Sequence, residues 1–268
     1  MKVLVVASKQ DPAGMNIVEQ LEQFKKIPLQ TIEGSVMYTE SLDMQEIEQY
    51  DFIIFASKHE SQKKEKALTL HAPGNAKEAQ FGGASGKLCS TSAQFMKQLF
   101  QELQKERDVS LLTHYQVTLE PTHHGPLIHK PCVFIEIGAT QEEWKDPKAG
   151  FVIAKTILNT VENFKENPYH EIAVAIGGPH YCPNFNKVQL NANIAIGHIF
   201  PNYLFPLTEE ILQQSIDTTK EDVDCFLLDW KGLGNAESKN QLLEIIHKMN
   251  IPYKRTDQLR KKFQEHQE

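Results

Sequence analysis

The chain reads as an α/β protein with a mixed, mostly parallel central sheet and helices on both faces. Three observations predict this. Short apolar runs rich in β-branched residues recur along the chain, stretches with helical apolar spacing alternate with them, and polar Gly- and His-rich segments follow one strand after another. At 268 residues the chain is within range of a single α/β unit and can bury most of its apolar surface, so it needs no staples. We therefore expect one domain over 1–268. A long excursion or lid falls at about 58–90, where Lys58 to Gly86 is polar and poor in periodicity.

The elements follow in order. Val3 to Ala7 is a continuous apolar run, the pattern of a strand buried on both faces. After the loop SKQDPAG, Ile17, Val18, Leu21 and Phe24 recur at helical spacing. Phe52 to Ala56 is a second buried strand. Phe95, Met96, Leu99, Phe100 and Leu103 form the stripe of a helix over Ser92 to Leu103. Tyr115 to Leu119 alternates like a strand, and Cys132 to Ile137 is a further apolar strand. Phe151 to Phe164 is an amphipathic helix. Ile172 to Ile176, Ile194 to Ile199 and Cys225 to Leu228 are strands, and Gln241 to His247 is helical.

Composition narrows the class. Hydrophobic residues are 40% and charged residues 24%, ordinary for a soluble globular protein. MKVLVVASK has no long apolar core and no small-residue cleavage site, so it is not read as a signal peptide, and no run approaches a membrane span of about 18 apolar residues. Cys89, Cys132, Cys182 and Cys225 are widely spaced, with no CxxC. They read as reduced thiols, which suggests a cytoplasmic protein. A net charge of -7 argues against a general nucleic-acid binder. Lysines 58, 63, 64 and 66 nevertheless cluster, as do Lys254, Arg255, Arg260, Lys261 and Lys262, and two such clusters could make a local basic rim.

The chemistry gathers after the strands. Asp11 follows the first, His59 the second, and His123-His124 the Tyr115–Leu119 strand. Glu136 lies on Val133–Ile137, Gly177-Gly178-Pro179-His180 follows Ile172–Ile176, and His198 lies on Ile194–Ile199. His71 sits in LTLHAPGN. A lone loop histidine is usually a surface residue, but six imidazoles at strand ends can supply metal ligands or general bases in one cleft. A carboxylate on a buried strand, as at Glu136, is costly unless it is paired or functional. HExxH, GxSxG and a true phosphate loop are all missing. FGGASGKL fails the Walker spacing, and turn geometry accounts for Gly82 to Gly86.

Seven segments in order, ASKQDPAGMNI, FASKHES, LTLHAPGN, EPTHHGP, FIEIGATQEEW, VAIGGPHY and IGHIFPNY, resemble the archaeal and plant D-aminoacyl-tRNA deacylases from Val5 to about Tyr203. The resemblance implies a monomeric α/β fold similar to phosphorylase and peptidyl-tRNA hydrolase folds. It also implies zinc dependence and hydrolysis of D-aminoacyl esters on the 3′ adenosine of tRNA. In that frame His123, His180 and His198 are the expected Zn2+ ligands, and Glu136 or His59 the general base. Asp11 is the expected anchor of the substrate α-amino group, and His71, His124, Gly177 and Gly178 are further substrate contacts. Three rivals remain. One is metal-free hydrolysis with an oxyanion hole at Gly177–Gly178, aided by the 2′-hydroxyl of the tRNA. Another is a peptidyl-tRNA hydrolase or metallopeptidase-like enzyme, and the third a non-catalytic binder of nucleotide or tRNA ends.

Overall fold

The computed structural model describes residues 1–40, 44–61 and 63–259. In chain order the strands are β1 (Val3–Ser8), β2 (Leu29–Ile32), β3 (Phe52–Glu60), β4 (Ala67–His71), β5 (Gly74–Asn75), β6 (Lys87–Leu88), β7 (Gln116–Leu119), β8 (Cys132–Ala139), β9 (Glu171–Ile176), β10 (Ile194–Phe200), β11 (Cys225–Leu228) and β12 (Tyr253–Arg255). The helices are α1 (Pro12–Glu22), α2 (Met44–Glu48), α3 (Ala93–Val109), α4 (Gln141–Trp144), α5 (Pro147–Asn163), α6 (Pro183–Asn191), α7 (Glu209–Asp217) and α8 (Ala236–Met249). Local chemistry sets the helix starts. Asp11, Ser92 and Asp146 each cap a helix N-terminus through a side-chain oxygen, and Pro12 and Pro147 stand where a missing N–H costs nothing.

The fold is mixed α/β and mostly parallel, in two principal sheets. The larger has six strands in the order β2-β1-β3-β8-β4-β7. β1, β2, β3 and β8 are parallel, whereas β4 pairs antiparallel with β8 and parallel with β7. The second sheet, β10-β9-β11-β12, is wholly parallel. Residues 58–90, read from sequence as an excursion, contain the end of β3, all of β4 and the small β5-β6 ribbon. Ala67–His71 is thus an inner strand of the large sheet, buried at every residue.

Strand alternation gives the large sheet two unlike faces. Val3, Val5, Ala7, Ile54, Ala56, Val133, Ile135, Leu68 and Leu70 point to one core, shared with α1, α3 and α5. Leu4, Val6, Ile53, Phe55, Cys132 and Phe134 point the other way, against Val36, Ile47, Cys89 and Ile128. The short helix α2, a 3-10 turn at Val36–Tyr38 and loops cover that second face. Along β3 and β8 it changes abruptly from apolar to polar. Phe55 pairs with Phe134, but the next row on the same face is Ser57, Glu136 and Thr69. The second sheet packs Val174, Ile176, Phe226 and Leu228 against Ile211, Leu212, Leu242 and Ile246 of α7 and α8.

Candidate active site

The polar row is the floor of the site. Glu136 is 3% exposed. Its Oε1 accepts from Ser57 Oγ at 2.6 Å and its Oε2 from Thr69 Oγ1 at 3.2 Å. These partners come from the two strands that flank β8, so the carboxylate is held from both sides. His59, two residues beyond Ser57, and His71, two beyond Thr69, lie on the same face, and each has a ring nitrogen 3.8 Å from Glu136 Oε2. Because β4 runs against β8, the site lies on a face of the sheet, away from any common carboxyl edge.

At the end of β7 stands Glu120, which sequence reasoning did not single out. It is 1% exposed, with His59 Nδ1 at 2.9 Å, His180 Nε2 at 3.4 Å and His123 Nε2 at 3.6 Å. These are ion-pair approaches without full hydrogen-bond geometry, and among the described residues neither carboxylate oxygen has a hydrogen-bond partner. A signal was present in the sequence, for Glu120 is the first residue of EPTHHGP. Glu120 lies one residue beyond the alternating strand, which ends at Leu119 in sequence pattern and structure alike, and strand periodicity therefore does not single it out.

The imidazoles form a continuous group. His71 and His123 have ring centroids 4.0 Å apart, His123 and His124 4.4 Å, and His123 and His180 5.4 Å. Nδ1 of His71, His123 and His124 faces a backbone carbonyl, of Ala72 at 3.2 Å, Pro121 at 2.7 Å and Gly125 at 2.7 Å. A carbonyl only accepts, so Nδ1 carries the proton in each and Nε2 keeps a lone pair for another partner. His71 Nε2 is buried without one. Three sets of donor atoms lie within 4.8 Å of one another: His71, His123 and His124; Glu120, His123 and His180; and His59, Glu120 and Glu136. A buried carboxylate without hydrogen bonds, with ring nitrogens of His123 and His180 at 3.6 and 3.4 Å, is a donor set that a divalent cation of zinc type would satisfy.

Electrostatics agrees with this arrangement. Burial pushes the Glu120 carboxyl up, but the close rings of His180 and His59 outweigh it and hold the group well below the usual carboxylate range. Burial is likewise outweighed at Glu136, where His71 holds the carboxyl down. Burial lowers His59, but Glu120 raises it more, and its pKa ends above the ordinary value. Desolvation, reinforced by the neighbouring imidazoles, holds His123 far down and takes His124 to about 4. Neutral imidazoles beside ionised carboxylates are the protonation states that ligation needs.

Beside the cluster lies a cavity of ≈ 290 Å³, whose lining includes Ser8, Asp11, Val36, Met37, His124 and Glu136. Asp11 caps α1, its Oδ1 accepting from Ala13 N and Gly14 N, while Oδ2 accepts from Lys58 N at 2.9 Å. Of the residues expected at the site, the structure thus brings together His59, His71, His123, His124, Glu136 and His180, with Asp11 on the adjoining cavity. His198 stands apart. It is fully buried on β10, with Nδ1 3.1 Å from Thr122 Oγ1 and Nε2 3.0 Å from Thr218 Oγ1, and it belongs to none of the three donor sets. Gly177 and Gly178 do not offer free N–H groups, since these donate to Phe200 O and Gly232 O at 2.7 and 3.0 Å. Of the basic clusters, Lys58 lies over the Trp144 ring, Lys66 pairs with Glu143 at 3.0 Å, Lys254 pairs with Glu171, and Arg255 pairs with Asp257. Arg260, Lys261 and Lys262 lie outside the described residues.

Two buried carboxylates thus stand among five imidazoles, three of them with oriented lone pairs, next to a cavity of small-molecule size, a set of groups that could hold a metal ion. The kind of protein follows from comparison with known proteins. The D-aminoacyl-tRNA deacylase family matches residues 46–254, and the chain belongs to that family. It is 34% identical to the D-aminoacyl-tRNA deacylases of Thermococcus kodakarensis and Pyrococcus abyssi, over 94% of this chain and 99% of each relative. The Methanocaldococcus jannaschii enzyme is 32% identical over 95% of this chain and 100% of its own. A crystal structure described as a conserved protein of unknown function superposes with a TM-score of 0.88 at 30% identity, covering 98% of both chains.

Proposed function

We propose that this chain hydrolyses the ester of D-aminoacyl-tRNA at the Glu120–Glu136 cluster, releasing the D-amino acid and free tRNA and so removing mischarged tRNA before translation. Membership of the family sets the reaction. The observation that supports placing it at this cluster is the buried carboxylate of Glu120, without a hydrogen-bond partner among the described residues, facing His59, His123 and His180.

The cofactor we infer is zinc, held by Glu120, His123 and His180 with His71 and His124 adjoining. When bound it would bring a water toward a pKa of about 7 and polarise the ester carbonyl. His198 is replaced in this set by Glu120. The protein's own groups do the rest. Asp11 accepts three backbone N–H bonds, and a carboxylate has room for a further donor, so it can take the substrate ammonium at the cavity wall. Val36 and Met37 line the same cavity and give it an apolar side. Fixing the ammonium and the ester leaves the side chain and the α-hydrogen to exchange places between enantiomers, and an apolar wall on one side then separates D from L. Of the two candidate bases, Glu136 lines the cavity, whereas His59 faces Tyr181 Oη at 2.9 Å and Glu120. We assign Glu136 the proton of the attacking water, to be passed on to the departing ribose oxygen, and His59 the role of a counter-charge beside Glu120. The spent N–H groups of Gly177 and Gly178 speak against an oxyanion hole there.

Among the described residues no helix is long and apolar enough to cross a membrane. Four free buried cysteines support a reducing, cytoplasmic setting, where we expect a monomer. The decisive measurement is the initial rate of hydrolysis of D-Tyr-tRNA and L-Tyr-tRNA, with and without chelator. The D ester should be cleaved and the L ester spared, chelation should abolish turnover, and added zinc should restore it. Equal rates for the two enantiomers would overturn the assignment.

A further inference from the structure

Two exposed aromatic rings stand at the edge of the site with no structural task. Tyr38 is 54% exposed and Phe81 56%, although phenylalanine is among the side chains most often buried. Both belong to segments that build the catalytic surroundings. Tyr38 directly follows Met37, which lines the cavity. Phe81 O accepts from Gly125 N at 2.8 Å, next to His124. The two segments also lie against each other. A Cβ added at Gly82 would fall 1.7 Å from Met37 O and 3.4 Å from Tyr38 Cδ1, so only glycine allows the Phe81 loop so close to the Tyr38 turn. That loop continues to Lys77, whose Nζ donates to Phe205 O at 3.2 Å, near Tyr203, which in turn contacts His180 Nδ1 at 2.9 Å. The rim thus runs unbroken from Tyr38 past Phe81 to the imidazole row.

We propose that Tyr38 and Phe81 form a stacking platform for the unpaired bases that precede the aminoacylated end of the tRNA. The inference rests on the deacylase reading of the site. An aminoacyl ester lies at the tip of a single strand, and a buried cluster can receive it only if that strand crosses the rim. Base stacking on aromatic rings needs no basic surface and tolerates any base, so it suits an acidic protein that must accept many tRNAs.

The test compares two substrates, D-Tyr-tRNA and D-tyrosyl-adenosine, which carries the same ester without the preceding bases. In Tyr38→Ala and Phe81→Ala the ratio of kcat/KM on the tRNA to that on the nucleoside should fall about 10-fold each, through KM. Tyr38→Phe and Phe81→Tyr keep a ring and should restore the ratio. Phe151→Ala, which removes an exposed ring from α5 on the helical side of the sheet, should leave it unmoved. Wild-type turnover of both substrates with a ratio that the Ala variants shift less than twofold would overturn the platform alone. Failure of the wild type on both substrates would overturn the deacylase reading and the platform with it.

Discussion

The two sheets carry similar-looking chemistry and use it oppositely. On the loop-covered face of the large sheet, His71 is fully buried and its Nε2 has no partner, and Glu120 is buried with both oxygens unpartnered. On the second sheet, His198 is equally buried, yet both its nitrogens meet threonine hydroxyls. Thr218 Oγ1 gives its proton to Gln214 O, so it can only accept from His198 Nε2, and Nδ1 then accepts from Thr122. One histidine is left incomplete by the fold and the other is completed by it. Burial therefore does not mark the functional residue. What sets the site apart is that unmet hydrogen-bonding requirements there, at His71 and Glu120, lie within a cluster of further metal-ligating side chains, whereas those at Arg107, Thr160 and Gln189 belong to no such cluster among the described residues.

The most damaging test of this contrast is Glu120→Gln. It keeps shape and removes charge. Hydrolysis of D-Tyr-tRNA should fall at least ~100-fold and bound zinc should drop, since even residues behind a metal's direct ligands are worth 10–100-fold. Full activity with full zinc content would refute the assignment of Glu120.

That residue also shows how far the sequence could be read. β1, β3, β8, β9 and β10 were legible as apolar runs, and five of the six imidazoles placed after strands do meet in one site. The sixth, His198, has the same local signature. What separates it is the presence of Thr122 and Thr218, 76 and 20 residues away along the chain, and sequence spacing carries no hydrogen-bond accounting of that kind. β4 was missed for a related reason. ALTLH stands between a lysine-rich stretch and a glycine-rich one and reads as part of a loop. Its place inside the sheet, antiparallel to β8, depends on partners that local periodicity does not name. The reversal moves the site from a strand edge to a sheet face.

A pair of histidine variants sharpens the comparison at lower cost to function. His180→Ala should reduce metal affinity or activity at least ~10-fold and barely alter stability, as its ring is part-exposed. His198→Ala should do the reverse, holding activity within about threefold while costing on the order of 1–3 kcal/mol, because two buried hydroxyls lose their partner. Urea midpoints beside initial rates separate the two. Loss of zinc from the His198 variant would return that residue to the metal site.

Acidity probes the same histidine more gently. Desolvation takes His198 to about 3 and His124 to about 4, below the ordinary histidine value of 6.5. A depressed folded-state pKa means that the unfolded chain binds the extra proton first as pH falls. Stability from these groups is therefore complete above pH 6.5 and lost progressively as pH drops toward 4. His59, raised by Glu120, acts in the opposite sense, its share being lost as pH rises through its folded value. In chelated protein the urea midpoint should fall between pH 6.5 and pH 4, and His198→Gln should fall less steeply. Parallel slopes for the two proteins would show that His198 does not titrate as its burial demands.

The smallest expected effect falls on Gly178, and it decides whether the backbone of the turn after β9, which already supplies His180, takes part in the chemistry. Gly178 holds φ +79°, a left-handed conformation in which a side chain is strained by about 1–2 kcal/mol. A Cβ there would lie 3.0 Å from Asp229 Oδ2, an oxygen that already accepts from Asn184 Nδ2 at 2.9 Å. Gly178→Ala should therefore lower stability by roughly 1–2 kcal/mol. Activity is a separate matter. The Gly178 N–H is fixed on Gly232 O and the Gly177 N–H on Phe200 O, so neither points at a reacting carbonyl, and kcat on D-Tyr-tRNA should stay within about twofold. An oxyanion-hole donor displaced by the new methyl would instead cost about 100-fold or more in kcat. The two readings differ by that factor at one position, under conditions where the protein remains folded. A fall of that size at wild-type zinc content would bring the Gly177–Gly178 turn into the reaction and end the contrast between the sheets.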